Sequence, residues 1–155
     1  MPAHPPEPLA PAASQAPANT HQRNSGQALE KAMLYLTWLT PTLENFPKSQ
    51  RFLLGDRLQT LAMDVVELVV EATYEKDPLP LLRQVNLALE KQRMFVRLAY
   101  NLKYLDARRY EFAARHLDTI GQSVGAWGKA TKLRGMPRQS AASGSAAPGV
   151  AMDTP

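Results

Sequence analysis

The chain has 155 residues, no cysteine and a formal net charge of +4. That composition excludes a disulfide framework, thiolate metal ligation and a catalytic thiol, and the length suits one domain. No apolar run approaches the roughly 20 residues that cross a bilayer, and the start MPAHPPEP has neither the basic residues nor the apolar stretch of a signal peptide, so a cytoplasmic protein without membrane contact is expected.

Residues 1–25 contain six prolines among alanine, serine and glutamine, and residues 135–155 are mostly Ser, Ala, Gly and Pro. Neither stretch has enough apolar surface to offset the entropy of ordering, so both read as disordered tails around a domain over 26–134. His4 and His21 fall in the first tail. A first helix is expected to start near Ser25 and to bury Leu29, Met33, Leu36, Thr40 and Leu43, with a kink at Pro41. Trp38 lies off the centre of that stripe, which suits either a seam between helices or subunits, or the core.

Asn45, Phe46 and Pro47 end this helix, because proline disfavours helical geometry in the residue before it. Ser49 is placed to cap a second helix that runs to Tyr74 and carries Leu54, Leu58, Leu61, Val65, Leu68 and Ala72 on one side. The prolines of EKDPLP force a turn. The third helix, about Leu79 to Leu105, sets Leu81, Ala88, Phe95, Ala99 and Leu102 against Asn86, Glu90, Arg93, Arg97, Tyr100 and Tyr104 on the opposite arc. Asp106 can cap a fourth helix, with Tyr110, Ala113, Leu117, Ile120, Val124, Trp127 and Thr131 inward and Arg115, Asp118, Gln122 and Lys129 outward. Gly121 and Gly125 lower helix propensity and are expected to permit close helix approach. The pattern is all-α, an up-down-up-down four-helix bundle.

Charge divides the core in two. Arg51 to Asp77 holds three bases against six acids, while Arg83 to Arg115 holds eight bases against three acids. Opposed halves suit head-to-tail contact between subunits, or an anionic partner on the basic half; two solvated faces are the plain reading. On the third helix only Glu90 is near enough to neutralise Arg93 or Arg97, which leaves one positive charge over, and Glu111 can pair with Arg115 across one turn.

Asp64, Glu67, Glu71 and Glu75 form an acidic stripe, but carboxylate metal sites in bundles use Glu-x-x-His pairs and no histidine lies on this helix. His116 stands without a second ligand at metal spacing and reads as a boundary residue. There is no phosphate-binding loop, G-x-S-x-G elbow or H-E-x-x-H motif, so neither cofactor nor metal nor enzymatic activity is expected.

The runs FPKSQRFLLGDRL, LAMDVVELVVEA, LEKQRMFVRLAYNLKYLDARRYEF and HLDTIGQSVGAWGKATK, in that order, resemble the accessory variability determinant (Avd) proteins of diversity-generating retroelements. The resemblance covers about residues 29–133 and neither tail. The FPK turn is shared with a wider group of small bacterial four-helix bundle proteins, including those encoded in intervening sequences of ribosomal RNA genes. RMFVRLA and the Gly-x-x-x-Gly-x-Trp end are closer to Avd. The resemblance implies a homo-oligomeric bundle, a pentameric barrel, that binds the element's reverse transcriptase and supports cDNA synthesis from a template RNA, with errors at adenines. It also implies that basic surfaces contact nucleic acid and the transcriptase. The candidate contact residues are Arg83, Arg93, Arg97, Tyr100, Lys103, Tyr104, Arg108, Arg109, Arg115, Lys129 and Lys132. The alternatives are a stand-alone bundle with a structural or partner-binding role in which RNA plays no part, and a carboxylate-metal enzyme.

Overall fold

Phe46 is buried at the point where the chain first reverses, and the turn around it is held by its own backbone. Three short bonds close the first helix, from the amides of Glu44, Asn45 and Phe46 to the carbonyls of Pro41, Thr42 and Leu43. The carbonyl of Phe46 then accepts from Nε of Arg51 at 3.1 Å. In a computed structural model, which describes residues 20–135, the chain forms α1 (Thr20–Leu43), α2 (Asp56–Tyr74), α3 (Leu79–Asn101) and α4 (Ala107–Gly135). A single turn, Lys48–Gln50, and a π-helical turn, Arg51–Gly55, lead into α2.

Each helix packs against two neighbours, in the cyclic order α1, α2, α3, α4, which is the expected antiparallel four-helix bundle. The fully buried large side chains include Trp127, Tyr35, Phe46, Leu58, Leu89, Leu117 and Ile120. No strand occurs among the described residues. No helix among them is long and apolar enough to cross a membrane. The expected tails before residue 20 and after 135 lie outside the described residues, as does His4.

Several local expectations are corrected. α1 begins at Thr20, more than a turn before Ser25, which is buried inside the helix with its hydroxyl donating to the Gln22 carbonyl. The extension is held at His21: Nε2 donates to the Thr73 carbonyl at 3.0 Å, and Nδ1 accepts from Trp127 Nε1–H at 3.1 Å. His21 thus belongs to the bundle, tying α1 to α2 and α4. The buried face of α1 is Ala28, Ala32, Tyr35, Leu39, Thr42 and, as expected, Leu43, whereas Thr40 is exposed. The stripe expected from Leu29, Met33 and Leu36 lies about 90° away, over the seam with α2. Leu29 and Leu36 are half-buried there and Met33 is exposed. Alanines let helices approach closely, so counting only large aliphatic residues picks the wrong arc.

In α2, Val69 is fully buried and Leu68 only partly. Ser49 caps nothing; the lead-in turn starts after Pro47 without a side-chain cap. α3 ends at Asn101, leaving Leu102 exposed, and its central core residue is Gln92, which donates to the Tyr35 hydroxyl at 2.7 Å. Asp106 does cap α4, its Oδ1 accepting from the Arg109 amide at 2.8 Å. The inward positions expected for α4 from Ala113 to Trp127 are buried. Trp38 is half-buried on the α1–α4 seam, 4.7 Å from the Phe112 ring.

Candidate nucleic-acid and partner interface

The basic residues of α3 and α4 separate into three groups. Arg83 from α3 and Lys129 and Lys132 from α4 line a groove of about 230 Å³ between the two helices, floored by Leu82 and Val124. They converge because α3 and α4 run antiparallel, which sets the first turns of one beside the last turns of the other. No carboxylate among the described residues pairs with any of the three. Gly125 and Gly128 form part of the wall, and a Cβ on Gly125 would meet nothing within 4 Å. Gly125 therefore does not serve the close helix approach expected of it; it leaves open space on the groove.

Arg93 lies midway along α3 and is neutralised. Its guanidinium pairs with Glu90 and, at 3.4 Å, with Asp118 of α4, and it also donates to the Leu117 carbonyl at 3.4 Å. Asp118 comes from the next helix, so spacing along α3 could not reveal it. The surplus charge is on Arg97, which is exposed and has no ion pair among the described residues.

The third group surrounds the α3–α4 connection. Tyr100 stacks on Tyr110, with ring centroids 4.6 Å apart and planes at 21°, while Tyr104 is half-buried against Phe46 at 5.6 Å. Both tyrosines thus hold the connection together. Arg109 pairs with Asp106 at 3.2 Å and Arg115 with Glu111 at 3.6 Å, the latter as expected. Arg108 is exposed and has no ion pair among the described residues.

Lys103 adopts φ 64°, the left-handed region. Its amide donates to the Tyr100 carbonyl and that of Tyr104 to the Ala99 carbonyl, the double bond pattern that terminates a helix and normally employs glycine.

Sequence reasoning missed Lys76 and Arg134. They join Lys132 around a second cavity, of about 670 Å³, next to the Arg83 groove. Lys76 sits in the acidic half of the sequence and Arg134 in the last turn of α4, so only the fold brings them to the same end of the bundle. The last-turn bases Lys132 and Arg134 also offset the negative end of the α4 dipole. On the α1–α4 seam, burial lowers the His116 pKa from the usual 6.5, and its ring stacks on Phe112 at 4.1 Å. Among the described residues, no three His, Asp or Glu side chains are grouped to hold a metal ion.

This bundle, with basic residues along α3 and α4 that have no ion pair among the described residues, matches a known family profile over residues 27–131, described as bAvd-like. The chain belongs to the bAvd-like family. The matched segment spans most of α1 and all of α2 and α3, and ends within the last turns of α4. His21 and the bases Lys132 and Arg134 stand outside it. No curated protein matches the chain. In bAvd-like terms, the RMFVRL run is the middle of α3, and the Gly-x-x-x-Gly-x-Trp end is the stretch of α4 that carries the groove.

Proposed function

We propose that this bAvd-like protein is a non-enzymatic, oligomeric accessory protein. In this reading it binds the reverse transcriptase and template RNA of a diversity-generating retroelement and supports mutagenic cDNA synthesis. The observation that carries the nucleic-acid part is the groove in which Arg83, Lys129 and Lys132 converge without a carboxylate partner among the described residues. Unpaired cations on a rigid wall suit a phosphodiester backbone, because each phosphate contact releases condensed counterions. Arg97 and Arg108 extend the positive surface along the same two helices. Family membership supports the retroelement setting.

Assembly is supported by the opposed charge of the chain's halves and by a second apolar stripe on α3, Leu87, Met94 and Leu98, which is exposed along its length. A contact between unlike faces closes into a ring when the rotation permits, and the family resemblance favours five copies.

The test is a titration of template RNA, with and without the transcriptase, at two salt concentrations. Arg83→Gln with Lys129→Gln and Lys132→Gln should weaken RNA binding at least tenfold and flatten the salt slope by about 2, at about 0.7 per lost contact to single-stranded RNA. Arg93→Gln, already spoken for by Glu90 and Asp118, should leave the slope unchanged. Equal affinities and slopes for the triple variant and wild type would reject the nucleic-acid role. A reverse transcriptase gene and a variable/template repeat pair beside this gene would separately support the retroelement setting.

A further inference from the structure

The π-helical turn before α2 carries the most anomalous apolar surface of the described residues. Phe52 is 78% and Leu53 66% exposed, while the next two residues, Leu54 and Gly55, are buried. The turn is closed by the Asp56 amide, which donates to the Arg51 carbonyl five residues back. This wider turn shifts the helix phase, so the two side chains point outward from backbone that is firmly held, and such turns recur at functional sites. Around them stand Lys48, Arg51 and Arg57, against two acids, Asp56 and, on the side of the turn toward α1, Glu44, which leaves the knob net positive.

Elsewhere on the same chain lies a complementary surface. The groove between α2 and α3, about 290 Å³, has an apolar floor at Leu61, Leu68, Leu87 and Ala88. Its rim carries Asp64, Glu67 and Glu71 against a single base, Lys91. Among the described residues, no grouping of this acidic stripe with other ligands could hold a metal ion.

We infer that Phe52 and Leu53 of one copy insert into the α2–α3 groove of a second copy, with Lys48, Arg51 and Arg57 meeting the Asp64, Glu67 and Glu71 rim. A chain cannot fill its own groove, because the knob at the start of α2 is about 20 Å along the helix axis from the groove at its middle. The contact is therefore head-to-tail, between unlike faces, the class that closes into rings. Apolar anchors ringed by complementary charge are where binding energy concentrates. This inference rests on the proposed assembly and names its interface.

Light scattering at micromolar concentration tests it with two variants at exposed positions: a knob variant, Phe52→Asp with Leu53→Asp, and a groove variant, Leu87→Arg with Glu71→Lys. Each should keep wild-type helicity and melting, yet weaken self-association by on the order of thirtyfold or more. Phe52→Ala with Leu53→Ala gives the same reading should the aspartates disturb the turn. Mixed in equal amounts, the knob and groove variants should form a dimer and nothing larger, because one intact knob meets one intact groove. Variants that assemble like wild type overturn the interface and leave the proposed assembly standing, whereas a monomeric wild type overturns both. A knob variant that assembles normally but loses the transcriptase would give the knob to a different protein, again overturning the inference. Folded variants that stay monomeric in the mixture also overturn it.

Discussion

Arg93 lies over Gly121: a methyl group on that glycine would stand 3.1 Å from Nη2 of the guanidinium. The glycine leaves room for the charge to reach Asp118 and the Leu117 carbonyl. Gly125, one turn on, has open space where its Cβ would be. The two glycines should therefore respond differently. Gly125→Ala should stabilise the bundle by up to about 1 kcal/mol, the helix-propensity difference, and raise the melting temperature by a few degrees. Gly121→Ala should gain less, because Arg93 must shift and its contacts to α4 lengthen. Thermal melts of both variants, alone and with Arg93→Gln, check this; an equal gain at the two sites would sink the argument.

His21 bridges α2 and α4 through the Thr73 carbonyl and the Trp127 indole. Trp127 is fully buried with His21 in place, and removing the imidazole takes away the acceptor of its N–H. His21→Ala is expected to cost about 2 kcal/mol, by the loss of its two bonds. A chain lacking residues 1–19 should melt like the full chain, whereas one lacking 1–24 should melt lower. Chemical denaturation of the three chains distinguishes the bridge from an incidental helix extension.

Lys103 holds a left-handed conformation that burdens any side chain bearing a Cβ. Lys103→Gly should relieve that strain and stabilise the fold by about 1 kcal/mol. A loss of stability in urea titration would show that the lysine side chain contributes more than the strain removes. A fall in RNA affinity in the same variant would count Lys103 among the contacts.

Stability should also depend on pH through His116. Its folded-state pKa is lowered by burial, so below the unfolded value of 6.5 the unfolded chain binds more protons than the folded one. Stability contributed by the neutral ring is full above that value and is lost as pH falls through 6.5 toward the lower folded pKa. Urea midpoints for wild type should drop between about pH 7.5 and about pH 5, and His116→Gln should drop less. Parallel profiles would mean that other groups control the acid limb.

The sequence by itself determined four helices, their order and most of their ends. Local chemistry decides those: Pro47 and the prolines of EKDPLP break helices, Asp106 caps one, and apolar residues recur with helical period from Leu54 to Ala72 and from Ala113 to Trp127. It also determined the family, because the motif runs stand in the right order. What only the tertiary structure decided is which charges are free. Glu90 is visible one turn from Arg93, but Asp118 reaches it from another helix, and Arg83, Lys129 and Lys132 meet only because α3 and α4 are antiparallel neighbours. The core face of α1 was hidden for a related reason: Ala28, Ala32 and Tyr35 are buried by the shape of the neighbouring helices and by the Gln92 amide. Periodicity reports which side of a helix is apolar. The partner across the seam decides which residues are covered and which charges remain for a ligand.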